Sequence, residues 1–260
     1  MSTRPKTLKD ASGELRVIPV RGMAEVHPGD SIAELVLAAL AHARFRVQDG
    51  DILIVKHKIV SKAEDRRVAL NSIKPSAGAR QFASANHLDA RVVELALREA
   101  KRIVRKKHVL ITETQHGFVC ANSGVDVSNV DGGQTAVLLP LDPDASAARI
   151  HRDLKRRTAL HIPVIIGDSF GRAWREGLTE AAIGVAGMRA SVDYRGKSDE
   201  HGYELLVTEE AVADELACVA GLVCGKNSRI PACIIRGYAY PHGRGNARQL
   251  LRAPEKDLFR

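Results

Sequence analysis

The chain has 260 residues, 45% hydrophobic and 27% charged, the mix of an ordinary globular protein and too apolar for a disordered one. Lys and Arg outnumber Asp and Glu by 39 to 31, a formal net charge of +8. That surplus favours anionic partners through the summed field, and charge alone does not separate nucleic acid from a nucleotide, a phosphodiester cofactor or an acidic amino acid. One Trp, four Tyr and five Phe supply base-stacking platforms poorly. Cys120, Cys218, Cys224 and Cys233 lack the two-residue spacing of a zinc knuckle or redox dithiol, and their apolar surroundings predict buried, reduced thiols. The polar stretch before residue 15 carries no apolar signal core, and no run of about 18 apolar residues follows, so a cytoplasmic chain outside the membrane is expected.

In chain order, residues 1–14 read as a loose leader. Leu15 to Val20 is a short strand before Gly22, and Pro28-Gly29-Asp30 is a turn. Ser31 with Glu34 three residues on predicts a capping box, opening a helix that buries Ile32, Leu35, Val36, Ala39 and Leu40. Asp49-Gly50-Asp51 is a turn before a buried strand, Ile52 to Val55. Residues 76–105 read as two helices broken near Asn86-His87, the second running into Lys101, Arg102, Arg105, Lys106 and Lys107. That cluster reads as a solvated helix end favourable to the dipole, or else as an anion site. Strands are expected at 109–111 and 137–139, and a helix from Asp142-Pro143-Asp144 to about Leu160. A third buried strand, Val164 to Ile166, ends at Gly167-Asp168. Thr208 caps a long helix with Glu209 and Glu210 in its first turn, ending near Gly225, and Ala232 to Ile235 closes the chain's strands. Strands and helices intermingle without strict alternation, and neither a Gly-x-Gly-x-x-Gly turn nor a Walker loop is present. The expected fold is mixed α/β, of the α+β kind, with no clean linker.

Three segments concentrate polar chemistry. His57 to Lys62 follows a buried strand, and its two lysines, histidine and Ser61 suit phosphate oxygens; a basic loop of this kind also reads as solvated surface. His116 to Asn129 sets Asp126, Asn122, Ser128 and Asn129 among glycines that permit close backbone approach, the alternative being a plain turn. In Gly167 to Arg175, Asp168 and Ser169 offer hard oxygen ligands of the kind magnesium takes with substrate oxygens, and Arg172 and Arg175 can clamp phosphate or carboxylate. Trp174 reads as packing, and Asp168 with the arginines also reads as an ion pair. Together these are parts from which a phosphoryl-transfer site is built.

The same segments carry a resemblance. Val17 to Gly22, Pro28-Gly29-Asp30, His57 to Lys62, His116 to Asn129, Asp168 to Arg172, Ile183 to Gly187, Asp193 to Gly196 and Thr208 to Ala217 run in the same order as motifs of the coenzyme F420-0:L-glutamate ligases, which the chain resembles from about residue 15 to about 238. The resemblance implies a two-lobed fold over 15–240, a homodimer, GTP, magnesium or manganese, and room for a monovalent ion such as K+. It places nucleotide contacts on Met23, Ala24, Glu25, Val26, His57, Lys62, Asn129 and Lys226, metal on Asp126, Asp168 and Ser169, and catalysis on Asp126, Asp168 and Arg172.

It further implies that a substrate carboxylate attacks the γ-phosphate of GTP and that the acyl phosphate so formed is captured by the amine of L-glutamate. Ser169 stands where Thr is usual, Ala173 where Pro is frequent, and Glu176 replaces a commonly neutral residue. The chain ends at Arg260 without the flavin-binding domain of two-domain relatives, from which a short product of one or two glutamates is expected. The basic segment 241–260 lies outside the resemblance and is expected to be a tail. Two rivals remain: a ligase of the same fold with another acceptor or amino acid, and a non-catalytic protein binding nucleotide or nucleic acid.

Overall fold

The computed structural model describes residues 13–128 and 132–258, so Asn129 lies outside the described residues. The strands are β1 (Arg16–Pro19), β2 (Ile52–Lys56), β3 (Arg67–Ala69), β4 (Ala100–Lys106), β5 (Leu110–Thr114), β6 (Val119–Ala121), β7 (Thr135–Val137), β8 (Val164–Arg172), β9 (Arg175–Ala186), β10 (Val192–Asp193), β11 (Glu209–Glu210) and β12 (Ala232–Arg236). The helices are α1 (Ile32–His42), α2 (His57–Ala63), α3 (Ala77–Asn86), α4 (Ala90–Glu99), α5 (Pro143–Thr158) and α6 (Val212–Cys224). A central five-stranded sheet has the order β1-β12-β2-β8-β9, in which β2 and β8 are parallel and every other pair antiparallel. A three-stranded sheet β4-β5-β6 and two small ladders complete a mixed α+β architecture.

Two hydrophobic cores underlie two lobes. The larger wraps the central sheet, where Ile52, Leu53, Val55 and Val164 to Ile166 are fully enclosed. Burying one such side chain is worth roughly 1.5–3 kcal/mol. The smaller joins α3 and α4 to Leu70, Leu110, Ala136 and Leu138. Cys120, Cys224 and Cys233 are buried as free thiols, whereas Cys218 is only half-buried. No helix among the described residues is long and apolar enough to cross a membrane.

Local chemistry fixes several elements as expected. Ser31 caps α1 by accepting the Glu34 N–H, although the Glu34 carboxylate pairs with Arg157. Asp142 caps α5 through the Ala145 N–H. Elsewhere strand pairing overrides the local reading. The basic cluster after α4 is strand β4, not a helix end, because Lys101 and Arg102 reach Glu113 across the β4–β5 ladder. Glu209 and Glu210 form β11 against β10, so α6 begins only at Val212, with Asp214 and Glu215 in its first turn. His57 to Lys62 is helix α2 instead of a loop. β8 runs on past Asp168 to Arg172, because β9 pairs with its whole length.

β9 has no bulky alternating pattern because helices sit close on it. A Cβ on Gly184 would lie 2.6 Å from the Pro143 carbonyl carbon at the start of α5. Asp144 and Asp214, in the first turns of α5 and α6, accept the Val185 and Ala182 N–H groups of this edge strand. Burial raises both carboxyls, and those N–H groups pull them back. Beyond residue 240, Ala247 is buried in the main core and donates its N–H to Asp144, while Leu250 and Leu251 pack against the same core.

Gly184→Ala forces α5 off β9, so the urea midpoint should drop with unchanged m, equivalent to about 1–3 kcal/mol. An unchanged midpoint would show that the helix gives way freely.

Candidate active site

The parallel β2–β8 pairing sets Lys56 beside Gly167, so that the next residues, His57 just past the end of β2 and Asp168 within β8, come together. His57 Nε2 lies 3.3 Å from Asp168 Oδ1, at ion-pair range but without the alignment of a hydrogen bond, while its Nδ1 meets Ser61 Oγ at 3.4 Å. The flanking lysines take other carboxylates. Lys58 Nζ is 2.7 Å from Asp126 Oδ2 and also donates to the backbone oxygen and hydroxyl of Ser128. Lys56 Nζ is 2.5 Å from Glu180 Oε1 on β9. One turn along α2, Lys62 Nζ reaches Glu25 at 2.5 Å.

Glu25, Lys56, His57, Lys58, Lys62, Asp126 and Asp168 border one cleft of about 810 Å³, closed on another side by Gly225, Lys226 and residues 229–231 after α6. Lys226 Nζ donates to Ser169 Oγ at 2.8 Å, and Ser169 Oγ donates to Glu180 Oε1 at 2.8 Å. Met23 to Val26, His57, Lys62, Asp126, Asp168, Ser169 and Lys226 all line this cleft. Arg172 does not. It sits at the exposed end of the β8–β9 hairpin, donating to the Glu176 carbonyl at 2.7 Å. Trp174, read in the sequence as packing, is 82% exposed at that turn, and the Glu176 side chain is exposed beside it. Gly117 and Gly124 do admit close neighbours, but these are Leu251 and Leu139 of the protein itself.

Lys56, Glu180 and Arg229 escaped the sequence reading. Lys56 ended an apolar run as an apparent boundary, and Glu180 lay in a strand with no sequence signal. Its only cue was its position across a hairpin from Ser169, visible once the register is known.

Asp168 and Asp126 are both held below the ordinary carboxylate range. Burial pushes Asp168 up, but the His57 imidazole and the Ser169 N–H outweigh it, with nearby Asp126 opposing them. Burial likewise pushes Asp126 up, and Lys58 with Ser128 more than offsets this. Hydrogen bonding to Lys62 lowers Glu25. Among the described residues no three His, Cys, Asp or Glu form a cage able to hold a metal alone. The set present is two carboxylates and a hydroxyl, hard oxygen donors of the number that magnesium takes when phosphate oxygens and water complete its shell. The residues therefore fit an ion that arrives with a nucleotide.

Because the native values of Asp126 and Asp168 are depressed, their stabilisation is complete above the reference of 3.8 and is lost as pH falls through the native values. Urea midpoints should decline below about pH 4, and Asp126→Asn should flatten that decline by one titrating group. Superimposable acid limbs for the two proteins would mean that the Lys58–Asp126 pair carries no stability.

The family profile described as F420-0:Gamma-glutamyl ligase matches residues 22–237. The chain is similar to the coenzyme F420:L-glutamate ligase of Methanothermobacter thermautotrophicus, at 45% identity over 95% of this chain and 99% of the relative. It is also similar to the proteins of that name from Methanocaldococcus jannaschii, at 44% identity over 84% and 88%, and from Methanopyrus kandleri, at 41% over 95% and 98%. A colinear match of that extent, covering β2, α2, Asp126, Asp168 and the cleft they border, places the chain in the F420-0:gamma-glutamyl ligase family.

Proposed function

We propose that this chain ligates L-glutamate to coenzyme F420-0, driven by GTP, as an enzyme of F420 biosynthesis. The observation that carries this reading is the cleft of about 810 Å³, where Lys56, Lys58 and Lys62 face carboxylates and Lys226 donates to the Ser169 hydroxyl. Every reactant is an anion, and such a reaction needs positive groups that yield their carboxylate partners to phosphate. The relatives' names supply the acceptor and the amino acid.

In the proposed course, the acceptor carboxylate attacks the γ-phosphorus, GDP leaves, and an acyl phosphate remains. The glutamate amine then attacks that carbonyl, phosphate departs, and the amine sheds its extra proton to solvent or phosphate. Lys62 and Lys226 hold phosphate oxygens from the two sides of the cleft, and Lys58 draws acceptor or phosphate charge toward Asp126. His57, in contact with Ser61 through Nδ1, sets Nε2 at ion-pair range of Asp168, whose Oδ1 accepts the Ser169 N–H. Asp126, Asp168 and Ser169 would hold magnesium or manganese, which supplies charge neutralisation to the transferring phosphoryl group. K+, a homodimer and a cytoplasmic location belong to the same reading. The exposed Trp174 and Leu178 of the β8–β9 hairpin are apolar surface that a second copy would cover.

Incubation with F420-0, GTP, magnesium and glutamate should raise the acceptor mass by one glutamyl residue with release of GDP and phosphate. Folded protein that binds GTP but leaves the mass unchanged, while extending a different acid or using a different amine, would favour a ligase of the same fold with another specificity.

Lys62→Ala should weaken GTP binding by about tenfold or more, the loss of a charge-assisted contact. It should scarcely move apo melting, since the Glu25 partner is 68% exposed. Calorimetric titration gives the answer, and an unaltered dissociation constant would return Lys62 to a surface role.

A further inference from the structure

We propose that Glu180 is a positioning residue of this site, fixing the Ser169 hydroxyl and Lys56 for the bound nucleotide and ion. The inference rests on the ligase reading of the cleft and extends it to a residue outside the cleft's wall.

The hydrogen-bond directions follow from chemistry alone. Lys226 can only donate, and a carboxylate can only accept. Ser169 Oγ, 2.8 Å from each, therefore gives its single proton to Glu180 and takes one from Lys226. One lone pair of the hydroxyl is left for the cleft that Ser169 lines. Glu180 Oε1 simultaneously anchors Lys56. Remove the carboxylate and the hydroxyl is free to rotate, so its lone pair no longer points one way, and Lys56 loses its anchor.

Glu180 is costly to keep for packing alone. Its side chain is 11% exposed, and Oε2 is buried with no hydrogen-bond partner among the described residues. Buried polar atoms are nearly always partnered, so an orphaned oxygen next to a ligand cleft points to use. The surroundings are shaped to accept it. Gly221 of α6 leaves room, since a Cβ there would lie 2.6 Å from Glu180 Cγ. The register shift between Ile166 and Gly167 is a bulge, which changes the face taken by the residues beyond it. Hence Gly184 turns to α5 while Glu180, an even number of residues away, turns to α6.

The test uses Glu180→Gln, which keeps the shape and removes the charge, and Gly221→Ala, which keeps the charge and crowds the side chain out with a better helix former. The first readout is Mn2+ affinity by calorimetry, alone and with GTP; the second is kcat and KM for GTP. Both variants should bind Mn2+ at least tenfold more weakly in the presence of GTP and lose at least tenfold in kcat, with wild-type far-ultraviolet circular dichroism. Wild-type Mn2+ affinity and kcat in folded Glu180→Gln would overturn the inference, and Gly221→Ala decides in the same way should Glu180→Gln not fold. A wild-type protein that binds no Mn2+ would overturn it as well. Absence of glutamyl product from the wild type instead sinks the ligase reading, and the Mn2+ comparison still decides Glu180.

Discussion

The parallel pairing of β2 with β8 is the constraint on which the site depends. Parallel neighbours end at the same edge of the sheet, and crevices beyond the carboxyl ends of strands are where α/β proteins bind ligands. Here the register carries Lys56 and Gly167 level, so the next side chains along the chain, His57 at the start of α2 and Asp168 within β8, meet. The chain then turns into α2 at once, and Lys56, His57 and Lys58 fan out to carboxylates on β9, on β8 and in the segment after β6. A slip by one residue would separate all three pairs together. The fully enclosed aliphatic side chains of both strands set the energetic cost of such a slip.

Those pairs also describe how the charges of the cleft are balanced within the chain. Asp126 and Asp168 bring two carboxylates to one cleft. In the folded chain each already has a basic partner, and the depressed carboxyls reflect it. Ligand entry is then an exchange of partners between lysines, carboxylates, phosphate oxygens and cation. An exchange avoids creating an unpaired charge in a partly buried place, which would be far more costly than either end state.

Much of the fold could be read ahead of the structure wherever one segment decides its own state. The caps at Ser31 and Asp142, the turn at 49–51 and the apolar runs of β2, β8 and β12 are of that kind. What failed depended on a distant partner. Lys101 and Arg102 look like a helix end until Glu113 lies across from them, and Glu209 and Glu210 look like a first helical turn until Val192 and Asp193 pair with them. The candidate site divides the same way. Asp126, Asp168, Ser169 and Lys62 announce themselves as polar groups in short words of sequence. Glu180 does not, because its place is fixed by a bulge and by a glycine of α6.

Strand β9 closes one flank of the central sheet, and its Ala182 and Val185 amides point away from β8 into the carboxylates of Asp214 and Asp144. An unpaired strand edge is a template onto which another chain can add by backbone hydrogen bonding. These two acids occupy the donors that such an addition would use, and both belong to the opening turns of helices that cover the strand. The same two side chains that register α5 and α6 against the sheet thereby guard this stretch against edge-to-edge polymerisation, so that loosening either helix would expose a sticky edge as well as a core.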